Sequence, residues 1–449
     1  MTIREWRNSF TSINRIPLDV LSPIPIHLPH HDRFRASFVC RHWRRTFLQR
    51  TELWSELFLS KDEVYVQTLL GRAKRCPLDV TVNWWVPVST TRLLSPHMKQ
   101  LRSLDVTGWD NIQTLSELDS EPLPLLHALT IKTTRSDLYG LPPPPSLLTN
   151  AVNLKVLRFH SESRWSPFLY HFVFPNLVSF DLSATPSQEF SASKLLDFLE
   201  VSPMLQTVHT KITAHISPGD TPEGRVVILP NVKEFNLIVD DGDHGYWLAT
   251  SISCPSASRT TLTQNNGARN MLPETFFPDS NQWNAIVRQY TRSPAEEVVL
   301  ESTVASNITC TLTFRSPDNT VVKLCFADTP DVDIYDEEVD VHTDAFHQAA
   351  QKIRDHPQAN IKRLHISHDF QPREFPAVAC TIMGLFQSLG PLDDLTIYCC
   401  DIRPFFHSFL DIRDGYPREP VAFPRIKELT IRHPMSSEEV WRARSLASV

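Results

Sequence analysis

The sequence predicts an α/β chain in which a small three-helix module is followed by an irregular repeat solenoid with a curved parallel sheet. Three observations carry this. A degenerate L-x-x-L-x-L pattern recurs along most of the chain. Proline is abundant (35) and glycine scarce (11). Residues 16–54 hold two short amphipathic stretches that meet at a cysteine. Tight hairpins need glycine for positive φ, so a glycine-poor chain punctuated by proline suits stacked repeats better than a hairpin-rich sheet.

The repeats come first. The pattern occurs as Leu101-Leu104-Val106, Leu126-Leu129-Ile131, Leu154-Leu157-Phe159, Leu177-Phe180-Leu182, Leu205-Val208 and Val232-Phe235-Leu237. It returns as Ile361-Leu364-Ile366, Leu392-Leu395-Ile397 and Ile426-Leu429-Ile431. The first six copies start at 101, 126, 154, 177, 205 and 232, within the roughly 20–29-residue period of leucine-rich repeats. Several follow a proline, as in FPNLVSFDL, SPMLQTV and LPNVKEFNL, where proline stops the preceding element without disturbing a strand ladder. Helix-like connections lie between them. SASKLLDFLEVSP has Ser191 or Ser193 as N-cap and Pro203 as stop, TDAFHQAAQKIRDHP ends at Pro357, and AVACTIMGLFQSLGP ends at Gly390-Pro391. One such unit cannot bury its apolar face alone, so the motif residues are read as core.

The repeats are degenerate. The asparagine or cysteine expected after the last leucine is replaced by Trp109, Thr134, Glu162, Thr185, Asp240, Asp369, Cys400 and Pro434, so that ladder is nearly absent. Residues 241–360 break the period, and loops or hairpins are expected there, with VVKLCF as a strand. The organisation read from sequence is a tail at 1–14, the helical module at 15–60, a strand-rich joint with CPLDVTVNWW at 61–100, and the solenoid at 101–449. Along each strand, alternation turns Asp105, Arg158, Asp181, His209, Asn236, His365, Thr396 and Thr430 to the open face of the sheet.

Charge and composition bound the function. Residues 1–60 carry nine arginines and five acids, a net of +4, which leaves −11 for the remainder of a chain whose total is −7. That acidity argues against a dedicated nucleic-acid binder, and the basic module suits an acidic protein partner. No apolar run has the length of a membrane span and MTIREWRNSF has no signal-peptide core, so an intracellular location is expected. The eight cysteines are scattered and read as reduced thiols.

No catalytic motif stands out: G-x-S-x-G, a Walker loop, H-E-x-x-H and G-x-G-x-x-G are all missing. The acidic run 328–344 lacks the calcium-loop spacing, and DDGDHG at 240–245 is simpler as a turn. His27, His30 and His31 cluster, but Pro29 interrupts any shared helical face. Neither catalytic residues, a metal site nor a cofactor is assigned.

The module remains. Asp32 to Val39 reads as a helix with an acidic N-cap, apolar Phe34 and Phe38, and outward Arg33 and Arg35. Arg41 to Leu48 reads as a second helix with Trp43, Phe47 and Leu48, the two meeting at Cys40. A unit of this size buries too little surface to stand alone, which points to a partner. The pattern Ile16-Pro17, Val20-Leu21, Ile24, His27-Leu28-Pro29, Asp32-Arg33, Ala36-Ser37, Val39-Cys40, Arg41, Trp43-Arg44 and Leu53-Trp54 resembles the F-box. The chain is similar to the F-box proteins of mushroom-forming fungi that carry degenerate leucine-rich repeats.

That resemblance implies a non-catalytic substrate receptor. Its F-box would dock on a Skp-family adaptor and through it on a cullin ubiquitin ligase, while the solenoid holds a protein substrate. Carried over residue by residue, Pro17, Leu18, Leu21, Ile24, Leu28, Val39, Trp43, Leu53 and Trp54 would contact the adaptor or shape its surface. Pro23 and Pro25 stand where the family has helix formers. Each interior proline costs about 3 kcal/mol, so the first helix is expected to be kinked or shortened around 22–25, with weakened docking. The rival readings are a repeat scaffold uncoupled from ubiquitylation, and an enzyme with a polar pocket in 241–360.

Overall fold

The computed structural model describes Pro17, Val20 and residues 23–118, 123–133, 151–161, 173–184, 191–213, 224–239, 247–266, 286, 289–290, 295–304, 308–328, 348–353, 361–368, 385, 389, 392–399, 412–413, 416–417, 426–432 and 440–444. The chain divides into two compact units, Met1–Leu177 and Val178–Val449. That boundary falls inside the region read as one solenoid.

The first unit opens with the helical module. A 3-10 segment Ile24–His27 precedes α1 (His30–Ala36) and α2 (Arg41–Gln49), and a second 3-10 turn covers Thr51–Trp54. Then follow β1 (Glu56–Phe58), α3 (Glu63–Ala73), β2 (Leu78–Val82), α4 (Val88–Arg92), β3 (Leu101–Thr107), α5 (Trp109–Leu118), β4 (Ala128–Thr133) and β5 (Val156–Ser161). The five strands pair in sequence order and all are parallel.

In the second unit, β6 (Ser179–Ala184), α6 (Ala192–Glu200), β7 (Thr207–Ile212), β8 (Val227–Ile228), β9 (Glu234–Val239), β10 (Ile252–Ser253) and β11 (Arg259–Asn266) come first. After them come β12 (Glu297–Val304), β13 (Ile308–Arg315), β14 (Val321–Asp328), β15 (Arg363–His368), β16 (Leu392–Cys399), β17 (Ile412–Arg413), β18 (Tyr416–Pro417), β19 (Ile426–Arg432) and β20 (Val440–Arg444). The main sheet runs β6-β7-β9-β11-β14-β13-β12-β15-β16-β19-β20. It is parallel except where β13 lies antiparallel between β12 and β14 and where β20 lies antiparallel to β19. The two small pairs are β8 with β10 and β17 with β18.

All nine motif copies lie on these strands or lead directly into them, and every motif side chain whose burial is described is buried. Within the period break at 241–360, the described residues include two hairpins, β12–β13 and β13–β14, the latter carrying VVKLCF. The strand β11 (RTTLTQNN) was not expected. Its only aliphatic residue is Leu262, and threonines take the alternate buried and half-buried places. Ser191 is the N-cap of α6, accepting from the Lys194 amide, and Leu195, Leu196, Phe198 and Leu199 are buried beneath it. Of TDAFHQAAQKIRDHP, residues 348–353 are helical; of AVACTIMGLFQSLGP only Leu385 and Leu389 are described.

The prolines before the strands have a different role from the one read in the sequence. Leu126, Leu177, Leu205, Val232 and Ala257 each donate their N–H to the carbonyl three residues earlier: Leu123, Phe174, Ser202, Leu229 and Cys254. Pro124, Pro175, Pro203, Pro230 and Pro255 thus occupy the second position of a β-turn, where the fixed proline φ fits. A ladder between neighbouring turns also exists, displaced from the expected site. Asn153 donates to the Pro124 carbonyl (2.9 Å), Asn176 to Val152 (3.4 Å) and Asn231 to Pro203 (3.0 Å). The asparagine precedes the first leucine instead of following the last. There it supplies a donor that the turn carbonyl of the preceding repeat would otherwise take from water.

Candidate functional site

The helical module is built from the side chains of α1, α2 and the 3-10 turn that follows. The Cys40 thiol caps α2 by accepting from the Trp43 amide (3.5 Å). Trp43 and Phe47, four residues apart and so on one face, stack at 5.7 Å. Trp54 is 0% exposed and donates its indole N–H to the Phe47 carbonyl (3.1 Å), which satisfies a donor that burial would otherwise strand. Arg33 donates from Nε to the Leu28 carbonyl (2.9 Å) and from Nη1 to Glu56 on β1 (3.0 Å). Its side chain is only 15% exposed, so the outward Arg33 of the sequence reading is corrected: its carboxylate partner sits on β1, not in solvent. The α1 N-cap is Pro29, not Asp32, which stands in the first turn.

Helix α3 closes the module. Its Arg72 guanidinium lies over the Trp54 ring (4.6 Å) and the Phe34 ring (5.0 Å). Phe34 meets Tyr65 edge-on at 5.3 Å and Phe38 at 5.1 Å, and the Arg44 guanidinium lies 5.7 Å over Phe38. Burial holds Arg72 below its ordinary pKa, the Arg44 charge pushes the same way, and Tyr65 opposes. Burial raises Tyr65, with Arg72 opposing. Nη1 of Arg72 is buried and has no hydrogen-bond partner among the described residues. At the corner between α1 and α2, Phe38 is 57% and Val39 56% exposed. Phe38, read from sequence as part of an apolar face, instead lies past the end of α1, with Phe34 and Arg44 against its ring.

The residues expected to meet an adaptor separate into layers. Pro17 and Val39 are exposed, Ile24 and Leu28 are half-buried, and Trp43, Leu53 and Trp54 are interior. Leu53 and Trp54 can therefore shape the surface only from beneath. Leu18 and Leu21 lie outside the described residues. Around Pro23 and Pro25 the chain forms a turn and then the 3-10 segment, with a second break at Pro29 before α1. The α-helical backbone pattern is incompatible with a proline at its interior, and the 3-10 segment is the short alternative. The sequence signal for Arg72 was faint: Val66, Leu69, Leu70 and Ala73 mark the buried stripe of α3, and Arg72 sits beside it.

Register gathers the candidate residues of the open sheet face into rows. Asp105 lies between Thr81 and Thr130, and Thr130 pairs with Arg158. Asp181, His209 and Asn236 form a second row that continues to Thr261. His365, Thr396 and Thr430 form a third. Asp105 pairs with Lys132 (3.0 Å), while Arg158 is exposed. Thr396 and Thr430 are buried, which corrects their reading as presented residues. Their short β-branched side chains stand on interior strands, where flanking strands about 4.8 Å away shade them. The sequence reading missed Glu297, whose side chain is 8% exposed. Arg315 bonds to it, Arg363 lies at 3.4 Å and His365 at 3.9 Å.

Among the described residues, no group of three or more His, Cys, Asp or Glu is placed to hold a metal ion. No helix among them is long and apolar enough to cross a membrane. Residues 13–52 match the F-box domain family. A search of the curated proteins found no match. F-box domains in general bind Skp-family adaptors, and the proteins that carry them are typically non-catalytic.

Proposed function

We propose that the chain is the substrate-recognition subunit of a Skp–cullin–F-box ubiquitin ligase. One observation carries this reading: residues 13–52 match the F-box, and the helices of that segment leave Phe38 and Val39 exposed at their corner. Pro17, Ile24, Leu28 and Val39, with Leu18 and Leu21, meet the adaptor, while Trp43, Leu53 and Trp54 hold the surface in shape. The repeat region binds a protein substrate through open sheet faces, with Asp105, Arg158, Asp181, His209, Asn236 and His365 as the side chains at stake. The receptor itself performs no chemistry. It raises the effective concentration of substrate beside the charged ubiquitin-conjugating enzyme.

A second reading, a repeat scaffold uncoupled from ubiquitylation, is favoured by the 3-10 segment at Ile24–His27. Co-purification with a Skp-family adaptor separates the two. Affinity capture of the full chain and of a variant lacking 16–54, with the proteasome inhibited, should lose the ligase components from the variant and retain substrates. No adaptor capture at micromolar concentration favours the scaffold, and Pro23→Glu with Pro25→Phe should then restore docking if the prolines are its cause.

A further inference from the structure

The module carries more arginines than acids, and two cations, Arg44 on α2 and Arg72 on α3, lie against its aromatic rings. Arg33 is paired with Glu56 and Arg35 with Asp32 (3.6 Å). Arg44 and Arg72 have no carboxylate partner among the described residues; each lies on an aromatic ring instead. Those rings, Phe38 and Phe34, are in edge contact at 5.1 Å, so the two guanidiniums sit on adjoining rings. Stacking fixes the plane of a guanidinium without using its in-plane N–H donors. The patch is continuous with Val39, which belongs to the proposed docking surface.

We propose that Arg44 and Arg72 are a carboxylate-reading pair, and that the docked adaptor places an acidic side chain on them beside an apolar one that covers Phe38 and Val39. This inference rests on the docking reading above and adds to it a residue, Arg72, that lies beyond the segment 13–52 matched by the family. A protein carboxylate fits better than a nucleic-acid backbone. The surface beside Arg44 is apolar, with Phe38 and Val39 exposed, and Arg33 and Arg35 are already paired with acids. Arg72 is also held in place by two rings before any partner arrives, so docking has little side-chain ordering left to impose.

The test measures binding of the full-length chain to a purified Skp-family adaptor across a salt series. The variants are Arg44→Gln, Arg72→Met and the double variant, with Arg44→Lys as a charge-conserving control. Arg44→Gln should weaken binding about fivefold, the double variant about 20-fold or more, and both should flatten the salt dependence. Replacing an acidic adaptor residue by arginine should be rescued by Arg44→Glu. Arg44 is exposed and caps nothing, so its variant reads out docking even if Arg72→Met loosens the fold. Wild-type binding with an unchanged affinity and salt slope in Arg44→Gln overturns the inference and leaves the docking reading standing. No wild-type binding at all overturns both. An RNA oligonucleotide that binds the wild type more tightly than the adaptor, and loses this in the double variant, also overturns it.

Discussion

Arg33 is the fastener between the residues altered by proline and the rest of the first unit, and its removal should be measurable there. Arg33→Met keeps the aliphatic stem but deletes two contacts: Nε to the Leu28 carbonyl at 2.9 Å and Nη1 to Glu56 at 3.0 Å. A hydrogen bond from a charged donor contributes about 1.5 kcal/mol or more. The ion pair is worth less, about 0.5 kcal/mol, because the Glu56 side chain is 45% exposed and solvent screens it. The loss is therefore about 2 kcal/mol, concentrated on the start of α1, where Asp32 and Arg33 donate their amides to the Pro29 carbonyl. Hydrogen exchange by mass spectrometry on the full chain reads this directly, since 2 kcal/mol is roughly a 30-fold loss of protection in peptides covering 24–36. A double-mutant cycle with Glu56→Gln should return a coupling of only about 0.5 kcal/mol. Loss below about 0.5 kcal/mol, or coupling equal to the whole effect, would refute the reasoning, because the Leu28 carbonyl would then contribute nothing.

Three further outcomes are expected. Cys254 is buried and its thiol is pushed up to about 12 from an ordinary 9.0, and Tyr290, whose single hydroxyl proton is shared between the Ala249 and Ile252 carbonyls, is raised by burial as well. A group whose folded pKa is raised contributes stability that is complete below its unfolded value and is lost as pH rises toward the folded one. The unfolding midpoint should thus fall between about pH 9 and 12, and more shallowly in Cys254→Ala; an unchanged slope in that variant would count against it. Gly108 has φ +92°, and a Cβ there would meet the Trp84 Cα at 3.0 Å, so Gly108→Ala should cost about 1–3 kcal/mol in thermal unfolding, and a neutral result would contradict the geometry. Asn111 accepts from Thr91 (2.9 Å) and donates to the Asn83 carbonyl (3.1 Å) while buried, so Asn111→Ala should cost about 2–3 kcal/mol and raise exchange across 83–91.

The sequence carried the strands well because each repeats one apolar pattern, and a motif residue has no second way to bury its side chain. Leu104, Leu129, Leu157 and Leu395 are core on that ground alone. It also carried the break at Cys40, where the helical pattern restarts, and the loss of α-helix at Pro23 and Pro25, because a missing N–H is a local fact. Alternation in a strand was legible too, which is why Asp181, His209 and Asn236 fall in one register row.

What the sequence could not decide depends on neighbours from distant positions. Thr396 and Thr430 have the right parity for the open face, yet the strands that flank them decide their exposure. Arg33 reads as an outward charge until Glu56 is brought to it, and the place of Arg72 is set by Phe34 and Trp54. The hairpins around β13 were legible as a break in period with loops or hairpins and VVKLCF as a strand, but not in their pairing order, since strand direction leaves no mark on an apolar pattern. The repeat strands and the helical module follow from local chemistry. The side chains that face a partner depend on which residues the fold leaves unpaired, and that is a property of tertiary packing.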